Sequence, residues 1–547
     1  MSSAGGIYGL SGSGMDVDAL VKSLMTGQKT KEDTLIQQRT VLEWQKTAYN
    51  KVYDDISKFR DSLFNYKLES TLSPHSVSSS NTSVVTATAN ADAVDVNHSL
   101  VVAQVASGVN LLSSATISSG DKTTLATQMG VQNSFTLNIA NGTTSKSITV
   151  NPTDSINDVV SAINNAGIKV KASYDSTLDR FFLSTTDLGS STGINITTTS
   201  DSTTGRDDGG LFVEGLHLYS SAGTTNDDGT NITTTFTSES GKDAVIQLDG
   251  VQLTQDSNTF TIAGVTYNLI GVSSGASVDS GGTPTWGSGN TTNVSVSFDV
   301  DKAVSTIQSL VDSYNDILSE LNDMVDEERY TDYPPLTDDQ KSAMQDSDIE
   351  AWEKKAKSGM LHNDSTVTSL INSMRNLFIG SVSGISQTYD SKTGKMVTYN
   401  SAASIGITTG DYTEEGKLYL NTDDLKAALN NNPDVLKQLF GATGTTTVNG
   451  KKTTDTRAQG IAGRLYDTIK TSMDQLQRIA GTTASTSYDT QSDFAKRIAA
   501  KNDELDIAYD RYDVMEAAYY AKFNAMEEAL AQLNNQSSWL TSQLSSS

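Results

Sequence analysis

Both ends of the chain carry apolar residues at seven-residue intervals, with polar residues between them. Near the N-terminus Leu35, Leu42, Tyr49, Ile56 and Leu63 form the series, and Val52, Phe59 and Tyr66 fall three places after its last members. Near the C-terminus Ile498, Leu505, Tyr512, Tyr519, Met526, Leu533 and Leu540 repeat it, flanked by Tyr509, Phe523, Leu530 and Leu544. Sustained heptad spacing predicts coiled-coil or bundle helices. Neither helix can bury such a stripe alone. The stripes therefore either close one domain or dock against helices of other subunits. Polar residues at seam positions (Asn502, Glu516 and Ser537) would keep such pairing modest in affinity. Trp44 and Trp539 lie in the same regions and read either as partly buried stalk aromatics or as interface anchors.

Asp16 is a candidate N-cap before Val17, Leu20, Val21 and Leu24, and the glycine-rich segment ahead of it is expected to be flexible. The first helix is expected to reach about Leu68, with a break near Gly27, and Pro74 marks its exit. From Ser76 to Val300 the texture changes to Thr, Ser, Asn, Gly and Val, with seven Lys/Arg against twenty Asp/Glu. That is the chemistry of exposed antiparallel β-structure. Strands are expected near Val84–Ala89, Asn97–Val105 and Asn293–Val300. Thr197–Asp208, Ser220–Thr230 and Ser273–Gly289 read as loops or small-domain hinges.

Phe135 to Ile196 reads as a ββαββ unit, one helix covering a small sheet. Asn141-Gly142 is a two-residue turn signal, Ser155 and Asp158 fit a capping box, and Ile156, Val159, Val160 and Ile163 share a helical face. A second β unit runs from Ala244 to Gly271. Helix returns at Val304–Leu321, about five turns long, and further helices are expected at Asp338–Lys357, Asp364–Leu377, Thr422–Asn430, Pro433–Phe440 and Ile461–Ile479. The expected class is multidomain α+β, with a helical coiled-coil or bundle stalk formed by both chain ends and two inserted β-rich head domains.

The net charge of −26 argues against nucleic acid or an anionic membrane surface as a main partner. No apolar run is long enough to span a bilayer, and the start lacks the basic and apolar regions of a cleaved signal. With no cysteine, thiolate metal sites and cysteine nucleophiles are excluded. His75, His98, His217 and His362 show no metal-ligand spacing, and the acidic run Asp323, Asp326, Glu327 and Glu328 reads as a solvated helix end. Asp390–Gly394 lacks the ligands of an EF-hand loop, and Gly9, Gly12 and Gly14 follow no strand. No catalytic site, metal or cofactor is expected.

Several segments together resemble the flagellar filament cap proteins, the hook-associated protein 2 family. They are GLSGSGMDVDALVKSLM (Gly9–Met25), LEWQKTAYNKVYDDISKFRDSLF (Leu42–Phe64), IQSLVDSYNDILSELN (Ile307–Asn322), HNDSTVTSLINSMR (His362–Arg375), Ile405–Gly441 and LNNQSSWL (Leu533–Leu540). TDSINDVVSAIN (Thr153–Asn164) is similar to the core of a module shared with flagellins. The stretch around Glu328–Lys357 looks like an insertion, and Thr197–Asp228 has no counterpart in the pattern.

The resemblance implies a non-enzymatic structural protein at the distal tip of a bacterial flagellum. It would be extracellular and exported by the flagellar type III apparatus without a cleaved signal. It implies a ring-like homo-oligomer of about five copies. The further partners implied are flagellin, the hook–filament junction proteins, and an export chaperone on the C-terminal helix. The expected domains are 1–40 with 490–547 as a coiled-coil leg, 41–75 with 300–489 as a helical bundle, 76–112 with 236–299 as a β-rich head, and 113–235 as an outer head. The expected partner-interface residues are the leg heptads Leu35, Leu42, Tyr49, Ile56, Leu63, Ile498, Leu505, Tyr512, Tyr519, Met526, Leu533 and Leu540, with Trp539. The alternative is a surface adhesin whose β head binds host cells or mucin.

Overall fold

The structure, a computed structural model, describes residues 16–287, 289–391, 393–448, 451–485 and 488–545. The glycine-rich start, expected to be flexible, lies outside the described residues. The chain divides into two compact units, one of residues up to Leu72 with those from Val300 onward, the other Ser73–Asp299.

The first unit is mainly helical. Its N-terminal helix, Val17–Asn65, begins where Asp16 Oδ1 accepts from the Ala19 amide at 2.9 Å. It runs through Gly27 without the expected break and stops before Leu68. A glycine costs a helix about 1 kcal/mol relative to alanine, and the packing of Met25 and Leu35 on either side outweighs it. The C-terminal helix, Asp493–Ser545, packs antiparallel against it. Val17, Val21 and Met25 meet Tyr512, Met515, Tyr519, Tyr520 and Phe523, whereas Leu35 meets Leu505 and Ala508. Further along, Tyr49 lies 5.5 Å from Phe494, ring to ring.

The rest of the N-terminal helix lies against Val300–Asp326 and Ile461–Ala480. The former has 27 residues, longer than its expected five turns because Ala303 and Val325 extend the buried stripe at both ends. Asp338–Lys357 is two helices, Asp338–Ser342 and Asp346–Lys357, the first opened by a Thr337–Gln340 capping box. Three small antiparallel hairpins follow that the sequence did not signal: Thr388–Asp390 with Lys395–Val397, Ile407–Thr409 with Leu418–Leu420, and Thr443–Val448 with Lys451–Gln459.

The second unit is mainly antiparallel β-structure with two large apolar cores. One core holds Leu100, Val102, Ile246, Tyr267 and Val294. It belongs to a five-stranded sheet ordered His75–Ser79, Thr292–Phe298, Val96–Gln104, Ala244–Leu248, Val251–Gln255, and to a three-stranded sheet ordered Thr259–Ile262, Val265–Leu269, Val85–Ala89.

The other core holds Phe135, Leu137, Ile139, Ile156, Phe181, Phe212 and Phe236. The helix Ile156–Asn164 opens on the expected box, in which the Asp158 carboxylate accepts from the Ser155 amide at 2.8 Å. The expected hairpin is present one residue out of register. Asn141 pairs with Thr144, so Gly142 and Thr143 form the turn. Gly142 takes φ +55°, and a Cβ there would sit 2.6 Å from the Ser191 carbonyl oxygen.

The unit does not form one small sheet. Phe135–Asn141 and Thr144–Val150 belong to a five-stranded sheet, whereas Val170–Asp175 and Arg180–Thr185 pair with Asn110–Leu112 in another. Residues 197–201, expected as loop, finish the strand Ile194–Asp201, because alternate residues Thr198 and Ser200 are buried. Thr224–Asp227 and Ser277–Val278 are likewise short strands within expected loops.

Candidate partner interface

The heptad residues divide by position along the helix pair. Leu35, Leu42, Tyr49, Ile56 and Leu63 are all buried within the chain's own first unit. Leu505 is buried, and Ile498, Tyr512 and Tyr519 are half-buried. The antiparallel register places Phe523 opposite the start of the described N-terminal helix. Beyond it the C-terminal helix continues to Ser545, a run of 22 residues spanning about 33 Å at helical rise. There Leu533, Trp539, Leu540 and Leu544 are each more than half exposed, and Met526 is 38% exposed. Met526, Leu530, Leu533, Leu540 and Leu544 stand at heptad spacing, with Ser537 in the position between. The run's charged residues are Glu527 and Glu528. An exposed stripe of this kind suits a facing helix.

The inner part of the pair is held by polar chemistry. Lys46 Nζ meets Asp489 Oδ2 at 2.9 Å, with the two side chains 9% and 7% exposed. Asp489 also accepts from Ser492 Oγ at 2.6 Å and from the amides of Gln491 and Ser492 at 3.1 and 3.0 Å. Burial alone would raise its pKa, but the Ser492 hydroxyl, Lys46 and these amides outweigh burial and hold it well below the carboxylate range. The Tyr49 hydroxyl donates to Asp364, whose other oxygen caps the helix Ser365–Ile379 by accepting from Thr366 and Val367 amides at 2.9 and 3.0 Å. Burial raises the Tyr49 pKa, helped by that carboxylate.

Trp44 is half-buried, with Lys357 Nζ 5.1 Å from its ring centroid. It borders a groove of about 560 Å³ lined also by Met324, Met360 and Leu361. Trp539 lies on the exposed run. The histidines are scattered. His98 Nδ1 lies 2.6 Å from Asp249, His75 Nδ1 lies 3.1 Å from the Ser73 carbonyl, and His362 Nε2 lies 2.8 Å from Asn363 Nδ2. Asp323, Asp326, Glu327 and Glu328 are exposed. Among the described residues no three acidic or histidine side chains converge on a metal position, and no helix is long and apolar enough to cross a membrane. Two residues that sequence reasoning missed are Lys46 and Asp489. The signal was a lysine at a seam position of the first helix.

Comparison with known proteins adds to this geometry. The family described as Flagellar hook-associated protein 2 C-terminus matches residues 241–535, its N-terminal counterpart matches 13–108, and the Flagellin hook IN motif matches 134–187. The Flagellar hook-associated protein 2 of Halalkalibacterium halodurans is 28% identical over 96% of this chain and 97% of its own length. That of Thermotoga maritima is 23% identical over 73% of this chain and 54% of its own. The crystal structure of the D1-D2-D3 domains of the Escherichia coli flagellar cap protein FliD shares the fold. Its TM-score is 0.51 at 19% identity, covering 83% of this chain and 99% of that one. With the C-terminal family description alone spanning more than half its length, the chain belongs to the flagellar hook-associated protein 2 family.

Proposed function

We infer that this chain is the structural cap of a bacterial flagellar filament, retaining exported flagellin at the tip and promoting its folding and polymerisation without chemical turnover. The observation that carries this reading is the end-to-end match to a flagellar hook-associated protein 2, 97% of whose length is covered. The paired terminal helices around a β-rich middle support it, because they give one chain both a leg and a head.

On this reading the protein works outside the cell as a ring of about five copies. It contacts flagellin and the hook–filament junction proteins after export through the flagellar type III apparatus, where a chaperone holds its C-terminal helix. The leg comprises residues 1–40 and 490–547, the bundle 41–75 and 300–489, and the heads 76–112 with 236–299 and 113–235. Of the expected interface residues, Met526, Leu533, Trp539 and Leu540 remain uncovered by the described chain. They carry the contact with other subunits, while Leu35 to Leu63 hold the leg to the bundle.

Deleting the gene in its native host tests the role. Filament-less cells that shed unpolymerised flagellin are expected, rescued by the intact chain but not by residues 41–490. Normal filaments in the deletion strain would overturn it.

A further inference from the structure

The seam of the N-terminal helix has a second row of positions, between the apolar heptads, that is occupied by Met25, Glu32, Arg39 and Lys46. Three successive seam positions are therefore charged, and they differ in how well they are satisfied. Lys46 is paired with Asp489. Arg39 reaches Asn502 Oδ1 at 3.5 Å and Glu43 at the same distance. Glu32 is 3% exposed, and its Oε1 has no hydrogen-bond partner among the described residues.

Glu32 stands where the apolar seam is interrupted. On one side Val17, Val21 and Met25 pack with Tyr512 to Phe523, and on the other Leu35 packs with Leu505 and Ala508. The apolar heptad position between them is Gln28, whose Nε2 donates to the Ala508 carbonyl at 3.0 Å. Lys29, the nearby cation on the same helix, is engaged by Asp33 at 3.5 Å and by Asp339 at 3.0 Å. From the C-terminal helix the titratable groups around this point are Tyr512, Asp513 and Glu516. Among the described residues Lys29 is thus the cation that acts on Glu32, amid several carboxylates, and Glu32 keeps one oxygen buried and unpaired.

We propose that Glu32 is a proton-operated break in the terminal helix pair, so that the outer part, residues 17–28 with 512–523, opens while Glu32 is ionised and closes when it takes up a proton. A buried carboxylate oxygen without a donor costs free energy, and a helix pair relieves that cost most directly by parting at that point. The inner part, from Leu35 to Leu63, stays closed because Lys46 is paired and the apolar heptads there are continuous. Burial pushes the Glu32 carboxyl up from its usual value, Lys29 pulls it back, and Asp33 and Asp513 push it up further. The closed pair therefore binds the proton more tightly than the open one. Closure is fully favoured below the ordinary value of 4.5 and is lost as pH rises through the raised value.

Hydrogen exchange on the full-length chain between about pH 4 and 8 tests this, read as protection factors so that the intrinsic rate's own pH dependence is removed. Protection of amides 17–28 and 512–523 is expected to rise on acidification by up to about tenfold per pH unit, with amides 52–63 unchanged. In Glu32→Gln, which keeps the shape without the charge, the outer amides are expected to be protected at every pH and to lose the dependence. Glu32→Leu is expected to behave alike. Outer amides indifferent to pH in the unaltered chain, or a Glu32→Gln chain that keeps the dependence, would overturn the proposal.

Discussion

At the scale of single residues, the helix pair contrasts two buried charges. Lys46 and Asp489 are both desolvated, yet each has its partner, and Asp489 accepts from the Ser492 hydroxyl and two amides besides. Removing one member leaves an uncompensated buried charge, at a cost of about 3 kcal/mol. Lys46→Met is therefore expected to lower the opening free energy of residues 42–63 by about that amount at neutral pH, measured by hydrogen exchange at increasing urea. The sign of the pH dependence follows from Asp489. Its folded-state pKa lies below the ordinary 3.8, so its stabilisation is present above 3.8 and lost as pH falls through the lowered value. The gap between Lys46→Met and the unaltered chain should accordingly narrow in strong acid. An equal gap at neutral and strongly acid pH would mean that the pair is not what holds this part of the helix.

At the scale of elements, legibility followed how strongly each period was written. The terminal helices were readable because heptads repeat over many turns, and the structure places Leu35, Leu42, Ile56 and Leu63 on one buried stripe. The Ser155–Asp158 capping box was readable because two side chains satisfy two backbone donors within four residues. Ser155→Ala is expected to cost about 1 kcal/mol and to raise exchange in amides 156–164 ahead of the flanking strands. Unchanged exchange there would show that the buried Ile156, Val159 and Ile163 alone hold the helix.

Other elements were hidden for physical reasons. Residues 197–201 are Thr-Thr-Thr-Ser-Asp, a polar string by composition, but Thr198 and Ser200 are buried between two neighbouring strands. A strand covered on both edges tolerates hydroxyls that look like loop residues in the sequence. The Gly142-Thr143 turn slid by one residue because Asn141 continues the ladder with Thr144, and its side-chain carbonyl accepts from the Gly193 amide at 3.2 Å. The division of the ββαββ segment between two sheets depends on pairing with Asn110–Leu112 and Ile194–Asp201, contacts distant in sequence that no local pattern contains.

At the scale of the whole molecule, the apolar stripe of the C-terminal helix is longer than the described residues cover. Up to Phe523 it faces the N-terminal helix, and from Met526 to Leu544 it is largely open. The candidate interface was thus half legible. Heptads locate the stripe, but only the antiparallel register shows where self-coverage stops. Leu533→Asp with Leu540→Asp tests the consequence. Both side chains are more than half exposed, so the change should leave the unfolding transitions of the isolated chain within about 0.5 kcal/mol. Against a facing helix each leucine would bury its side chain, worth about 1.5–3 kcal/mol, so the double change should weaken self-association by a hundredfold or more by the arithmetic of about 1.4 kcal/mol per tenfold. Sedimentation of the full chain and filament growth in complemented deletion cells read this directly. Intact folding with lost association and lost filaments is the expected result. Undiminished association would show that the open stripe is not where the copies meet, because a charged residue at both heptad positions cannot be buried against an apolar partner without that penalty.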